Sequence, residues 1–272
     1  MSKDAILVLG ATGTTGRRLT GRLRSAGATV RAASRHGDVR FDWSDPGTWD
    51  SALSGAVRLY LMAPHELPVD PRFVERAVTR GVRHIVLLSS RGIEVMGDER
   101  LMSAERTVRG SGADWTILRA DWFDQNFDEG FFQPAVVAGA LAVPLGDARQ
   151  AFVDADDIAA VAAAVLTGDG HAGHSYEVTG PDALSFAEAV RIVGEAAGRP
   201  VRFGGTDGDY LAQQAALGLP EEQTRQEIAA FTALREQGDQ SATDTVRRIT
   251  GHPPKSFHTY ATEAAARGAW KE

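Results

Sequence analysis

The 272-residue sequence contains no cysteine. That excludes a disulfide framework, a thiol nucleophile and a cysteine-based metal site. Lysine is almost as scarce: only Lys3, Lys255 and Lys271 occur, so arginine carries nearly all the positive charge. One consequence is chemical. The residues four positions after Tyr60, Tyr176, Tyr210 and Tyr260 are Pro64, Gly180, Gln214 and Ala264, so no Tyr-x-x-x-Lys pair exists to protonate a carbonyl oxygen. The net charge of −7 gives no basic footprint for nucleic acid. No apolar run reaches the ~20 residues of a membrane span. Lys3 and Asp4 stand before a short apolar segment, which is not a signal-peptide pattern, and a cytoplasmic location is expected. His171 and His174 have no carboxylate at ligand spacing, and Asp154, Asp156 and Asp157 precede a helical pattern as caps, so no metal is expected.

What the sequence does have begins at residue 5. The apolar run Ala5 to Leu9 leads into Gly10-Ala11-Thr12-Gly13-Thr14-Thr15-Gly16, and a helical pattern with Leu19, Leu23 and Ala26 follows. A buried strand, a glycine turn and a helix N-terminus in that order form an anion site. The glycines let the backbone approach a pyrophosphate, and the free N–H groups and helix dipole favour its charge. The spacing is GxxGxxG, and its place between strand and helix points to dinucleotide binding.

Thr29 to Ser34 reads as the second strand and ends in Ser34-Arg35-His36. An NAD site places Asp or Glu about 20 residues past the glycines to take the ribose hydroxyls. Here Arg35 holds that place and no acid appears before Asp38. A guanidinium can grip a 2′-phosphate through forked, charge-assisted bonds, so NADP(H) is expected over NAD(H). Ser34 is a second candidate for the same phosphate. Asp42 and Trp43 are candidates to flank the adenine, with the core as the other place for Trp43. Arg31 and Arg40 read as solvated.

Strands and helices alternate through the first half: strands at Val39 to Trp43, Val57 to Met62, His84 to Ser89 and Trp115 to Leu118, with a short helix started by Asp45 to Trp49 and helices at Pro71 to Thr79 and Leu101 to Arg109. Such alternation predicts an α/β fold, a Rossmann-type doubly wound parallel sheet with right-handed crossovers. Residues 1–120 form the dinucleotide-binding domain in this reading. Residues 121–272 form a smaller, mostly helical substrate lobe that returns elements to the sheet, including an alanine-rich helix at Ile158 to Leu166 and a strand at His174 to Val178. Ser185 and Glu188 have capping-box spacing before a helix to Ala197. Helices are also expected at Leu211 to Leu217 and Glu221 to Glu236, with Gly204 to Gly208 as the loosest segment.

The GATGTTG turn, Ser34-Arg35, Leu87-Leu88-Ser89-Ser90, Trp115-Thr116-Ile117-Leu118-Arg119 and Trp122-Phe123-Asp124-Gln125-Asn126-Phe127 together resemble the NmrA-like atypical short-chain dehydrogenase/reductases. Phe152-Val153-Asp154, Asp157-Ile158-Ala159 and Tyr176 to Pro181 extend the resemblance along nearly the whole chain. Arg40-Phe41-Asp42-Trp43 with Thr48-Trp49, and the tail Thr250 to Pro254, are similar to the branch of ergot-alkaloid (agroclavine-type) iminium dehydrogenases. The resemblance implies a Rossmann domain with a small C-terminal lobe, NADP(H) preference, and either reductase activity or cofactor sensing without catalysis. It also implies that Ser89 and Ser90 at the end of the fifth strand lie by the cofactor, Ser90 near the nicotinamide. Met62-Ala63-Pro64 would then pack along the nicotinamide ribose. Relatives of the isoflavone-reductase group use a lysine early in the next helix, whereas the stretch here, Arg100 to Arg106, has none. Glu105 lies on the helix where the Tyr–Lys pair normally sits and is expected in a surface ion pair with Arg109.

Without a protein acid, hydride transfer favours an acceptor that is already electron-poor. The expectation is an NADPH-dependent reductase of an iminium, quinone or enone small molecule, with cofactor orientation as the main catalytic device. Ser90 and His65 are the candidate catalytic residues, and Trp122, Phe123, Asn126 and Phe127 the candidate substrate-pocket wall. A homodimer stays open as the assembly. Two other readings stay open as well: a cofactor-sensing regulator, and an isomerase, epimerase or cyclase that keeps its cofactor bound.

Overall fold

The computed structural model describes residues 4–64 and 67–271. Its first strand, β1 (Ala5–Leu9), is buried along its whole length, as a continuous apolar run demands when helices cover both faces. The glycine turn leads into α1 (Thr14–Ser25). Next come β2 (Val30–Ser34), β3 (Val39–Arg40), α2 (Trp49–Leu53), β4 (Ala56–Met62), α3 (Pro71–Thr79), β5 (His84–Ser90), α4 (Glu99–Arg109) and β6 (Asp114–Ala120). Aspartates start several of these helical segments. Asp45, Asp70 and Asp98 accept from the N–H groups of Gly47, Arg72 and Leu101, which satisfies donors that the first turn leaves free.

The third strand is shorter than the sequence predicts. After Arg40 the Asp42 N–H donates to Thr48 Oγ1 at 3.0 Å, and Trp49 Nε1 donates to Asp42 O at 3.0 Å. Phe41 and Trp43 turn inward to meet Trp49 and Phe73 edge-on. Aromatic packing there outweighs further strand pairing. Arg31 is not solvated either: Nε and Nη2 donate to the carbonyls of Ala52 and Ser51 at the end of α2.

The second half contributes α5 (Gln133–Val137), β7 (Ala140–Ala142), β8 (Arg149–Gln150), α6 (Ala155–Thr167), β9 (His174–Val178), β10 (Leu184–Ser185), α7 (Phe186–Ala197), β11 (Arg202–Gly204), α8 (Asp207–Ala216), α9 (Glu221–Gln237), α10 (Thr245–Thr250) and α11 (Phe257–Ala266). The main sheet has the order β3-β2-β1-β4-β5-β6-β9, and every pair in it is parallel. This is a Rossmann-type doubly wound fold. One face is covered by α2, α3 and α4, the other by α1 and α6. A third apolar cluster, with Phe127, Phe132, Phe152, Phe186, Phe257 and Trp270, forms the core beneath the helices of the C-terminal half. The capping box of Ser185 and Glu188 is present. The segment expected to be loosest is instead a built turn: Gly204 closes β11, and Thr206 and Asp209 cap α8 reciprocally. Among the described residues no helix is long and apolar enough to cross a membrane.

Two buried carboxylates hold these layers in different ways. Glu105 is only 4% exposed, not a surface residue. It accepts from Ser89 Oγ at 2.8 Å and from Arg119 Nε and Nη2 at 2.8 and 2.7 Å, while Arg109 is farther, at 3.3 Å. Burial alone would raise this carboxyl, but the hydrogen bonds from Arg119 and Ser89 outweigh it and hold the group below the ordinary carboxylate range. Asp124 lies beside α6, and neither of its carboxyl oxygens has a hydrogen-bond partner among the described residues. Burial, reinforced by the charges of Asp154 and Asp157, pushes its pKa well above the ordinary carboxylate value.

Because the Glu105 pKa is lowered on folding, its stabilisation is present above the unfolded carboxylate value of about 4.3 and is lost as pH falls through that range. Replacing Glu105 with alanine leaves the Arg119 guanidinium without its buried partner, and urea unfolding at pH 7 is expected to show a loss on the order of 3 kcal/mol. The difference between the two proteins should shrink as pH falls below about 4, where the unfolded wild-type chain takes up a proton at Glu105 that the folded protein still resists.

Candidate cofactor and substrate site

The glycine turn is shaped by close approach. A side-chain carbon at Gly16 would lie 2.1 Å from Gly10 O, and one at Gly13 would lie 3.2 Å from the same atom. Gly10 itself has φ +65° and sits against Met62 of β4. No side chain caps the α1 N-terminus, and its first turn contains no acid. The first-turn N–H groups of Thr14, Thr15 and Gly16 therefore have no side-chain cap and no acid of their own turn to meet. This cradle fits a pyrophosphate. Thr12 is exposed beside it. The Thr15 hydroxyl is not available, since it is buried and takes a 3.1 Å hydrogen bond from Tyr60; only the Thr15 backbone faces the turn.

At the end of β2, Ser34 is nearly buried and its Oγ accepts from His36 N at 3.2 Å. It shapes the tight turn that presents Arg35. The Arg35 side chain is exposed and makes no hydrogen bond or ion pair among the described residues. Asp42 accepts from Ser44 N and Oγ, and these bonds, helped by the charges of Arg35 and Arg40, hold its carboxyl below the usual range. Trp43 is half-buried and its ring belongs mainly to the aromatic cluster with Phe41 and Phe73.

Met62, Ala63 and Pro64 follow at the end of β4, and Arg100 Nη1 fixes the Pro64 carbonyl at 2.9 Å. His65 lies outside the described residues. Ser89 differs from expectation: its hydroxyl is committed to Glu105, which leaves only its backbone at the strand end. Ser90 faces the opposite side and lines a cavity of ≈ 240 Å³ at the ends of β5 and β6.

Arg91, Gly92 and Met96 continue the cavity wall from the β5–α4 connection, and Asp121, Trp122, Phe123 and Asn126 supply it from the segment after β6. Gln150 and the end of α9, through Leu234 and Gln237, close the remaining side with Gln240. Trp122 is held by near-parallel stacking on Phe132 and Phe231, at centroid distances of 6.0 and 6.2 Å, and by an edge contact with Phe186. Phe127 does not belong to this wall. It is fully buried against Phe132, Phe152 and Phe257 in the core beneath.

Sequence reasoning passed over Arg91 and Asp121, which follow immediately after β5 and β6. Arg91 Nη1 donates to Asp121 Oδ2 at 2.8 Å, and Nη2 lies 3.1 Å from Glu177 Oε2. Burial raises the Asp121 pKa, opposed by the Trp122 N–H and by Arg91. Their position one residue past adjacent strand ends was a usable signal, because open α/β sheets bind ligands there. Leu234, Gln237 and Gln240 had no such signal, since they reach the site only through the placement of α9.

Each tyrosine is engaged elsewhere: Tyr60 with Thr15, Tyr176 with His171, Tyr210 with Glu227 and Tyr260 with Asp128. Lys255 pairs with Asp154 and Glu263 at 3.2 and 2.9 Å. None of these five residues lines the cavity. Among the described residues no cluster of His, Asp or Glu has metal-holding geometry.

Comparison with known proteins places this arrangement. The chain is 33% identical to prestalk A differentiation protein A of Dictyostelium discoideum, over 96% of this chain and 93% of that one. It is 34% identical to the (4-alkanoyl-5-oxo-2,5-dihydrofuran-3-yl)methyl phosphate reductase of Streptomyces griseus, over 96% and 98%. Agroclavine dehydrogenase of Claviceps fusiformis is similar at a lower level, 24% over 95% and 96%. Among solved structures, the NADPH complex of the Escherichia coli quinone oxidoreductase QOR2 has the same fold, with a TM-score of 0.74 and 22% identity over 95% of this chain and 98% of that one. The NmrA-like family model matches residues 2–252, and the chain belongs to the NmrA-like family.

Proposed function

We propose that the protein is an NAD(P)H-dependent oxidoreductase that uses NADPH to reduce an electron-poor small molecule of iminium, quinone or enone type, without a Tyr–Lys pair. One observation carries this reading: the open, uncapped anion cradle at Gly10 to Gly16 lies on the same strand-end edge as a cavity with aromatic walls and no tyrosine or lysine in its lining. Neighbouring parallel strands are about 4.8 Å apart. From β1 across β4 to β5 is therefore on the order of 10 Å, a distance an extended dinucleotide covers.

Bound along that edge, a nicotinamide dinucleotide would supply the hydride. The chain's own residues do the positioning. The first-turn N–H groups hold the pyrophosphate, and Arg35 holds the adenosine 2′-phosphate on the turn that Ser34 shapes. Met62, Ala63 and Pro64 support the ribose beside the nicotinamide. Trp122, Phe123 and Met96 give a flat acceptor an apolar bed and exclude bulk water. Placement of this kind can supply several kcal/mol of barrier lowering without proton transfer from the protein.

The relatives support the substrate class by their names. The Streptomyces griseus relative is named for a substrate whose ring alkene is conjugated to carbonyl groups, and a 31% identical relative from Xenophilus azovorans is an NAD(P)H azoreductase. An alkene or azo bond of that kind accepts hydride without a preceding protonation step, in keeping with a cavity that has no dedicated acid.

Two measurements test the reading. NADPH oxidation followed at 340 nm with a panel of quinones, enones, cyclic iminium ions and plain ketones should show turnover of the first three classes. Reduction of the ketones alone would contradict it. Replacing Arg35 with aspartate is expected to raise KM for NADPH by 10-fold or more, roughly the loss of one charge-assisted phosphate contact, and to leave KM for NADH within about twofold. Equal changes for both coenzymes would remove Arg35 from the phosphate site.

A further inference from the structure

The cavity contains several polar groups, but the protein has already engaged most of them. Ser90 Oγ donates to the Arg91 carbonyl at 3.1 Å. Gln150 Nε2 donates to Arg149 O at 2.8 Å, and Gln240 Nε2 to Gly238 O at 3.3 Å. Arg91 divides its guanidinium among Asp121, Glu177 and Ser241 O. Gln237 is exposed at the outer end of α9. The Asn126 carboxamide lines the cavity and makes no hydrogen bond among the described residues.

Its backbone is nonetheless fixed. Asn126 N donates to Phe123 O at 3.0 Å, and Phe132 N donates to Asn126 O at 2.9 Å. A side-chain carbon at Gly130 would lie 2.7 Å from the Asn126 Cα, so the chain packs tightly there. The preceding residue is anchored as well: Gln125 Nε2 donates to Asp154 Oδ2 at 3.1 Å, and Gln125 Oε1 accepts from Ala155 N at 2.7 Å. An uncommitted amide donor carried on a fixed backbone is available to a substrate oxygen on which charge appears.

We propose that Asn126 is a catalytic residue of the reductase reading above, on which this inference rests, and that its Nδ2–H donates to the acceptor oxygen when the substrate is a neutral enone or quinone. In that reaction the hydride forms a C–H bond at the electrophilic carbon, and the π electron pair moves to the conjugated oxygen as an enolate. NADPH is oxidised to NADP⁺. An enone product is completed by one proton from solvent; a quinone adduct loses the ring proton of the attacked carbon to solvent and takes two protons on its two oxygens, a net gain of one, to become the hydroquinone. With a cationic iminium acceptor the same electron pair instead neutralises nitrogen, and no oxyanion forms. Asn126 therefore lowers the barrier for neutral acceptors and contributes nothing specific to cationic ones.

The test compares the wild type with Asn126→Leu, which keeps the bulk and removes the donor, and with Asn126→Asp, which places a carboxylate there. Each protein is assayed with NADPH against menadione and against an N-methyl-3,4-dihydroisoquinolinium salt, with thermal unfolding to compare folding. Asn126→Leu is expected to lower kcat for menadione by about 10²–10³-fold, the usual effect of removing one such donor. Any loss on the iminium salt should be much smaller, so that the ratio of kcat for menadione to kcat for the iminium salt falls at least about 10-fold. Asn126→Asp should lower that ratio at least as much, since its carboxylate repels a developing oxyanion and attracts a cation. Equal losses on both acceptors, or no loss on either, would overturn the role of Asn126 while leaving the reductase reading intact. A wild-type protein that reduces neither acceptor would overturn both.

Discussion

The distance between Gly10 O and the α carbon region of Gly16 governs the site. A single added carbon at Gly16 would come within 2.1 Å of that carbonyl, so only glycine lets β1 pass into α1 by so tight a route. The tightness leaves the start of α1 without a side-chain cap. A helix end left open in this way normally costs stability, since capping contributes about 0.5–2 kcal/mol. Here the uncapped N–H groups sit at the edge where the strands of a parallel sheet end, and a negatively charged ligand can satisfy them. Stability given up locally is matched by binding capacity at the same place.

The rest of the edge follows a consistent electrostatic plan. Carboxylates near the cavity are paired or deeply engaged: Asp121 with Arg91, and Glu105 with Arg119 and Ser89. Arginine provides the partner in both cases, and its planar fork suits such fixed pairs. The only lysine outside the extreme ends, Lys255, is engaged by Asp154 and Glu263 on the far side of the Asp124 segment. Burial pushes the pKa of the nearby Asp124 carboxyl well up. The cavity is left with aromatic walls, one balanced ion pair and carboxamides. Such a surface favours a flat molecule that brings its own electrophilicity.

Much of this was legible in the sequence where a local rule decides the outcome. The glycine turn, the parallel alternation and the returning strand His174–Val178 follow from periodicity, turn chemistry and chain order. Trp122, Phe123 and Asn126, named from the sequence as candidates for a pocket wall, line the cavity at the ends of β5 and β6. Phe127, one residue on, is core instead, because the 3-10 turn at Asp124–Asn126 redirects the chain. Glu105 was read as a surface residue from helix spacing alone; the partner that draws it inward, Arg119, lies on a neighbouring strand and leaves no trace in helix periodicity. The same limit hid α9, whose contribution to the site depends on how a helix far along the chain folds back over Trp122.

Single-turnover reduction of an iminium acceptor with C4-deuterated NADPH, in H₂O and in D₂O, separates hydride transfer to an activated acceptor from a reaction in which the protein donates a proton. For the first, a primary isotope effect from the coenzyme is expected, with a solvent isotope effect near 1 and a rate independent of pH between about 6 and 9, where a protein acid would titrate. A solvent effect of about 2 or more, coupled to a titrating group in that range, would refute it.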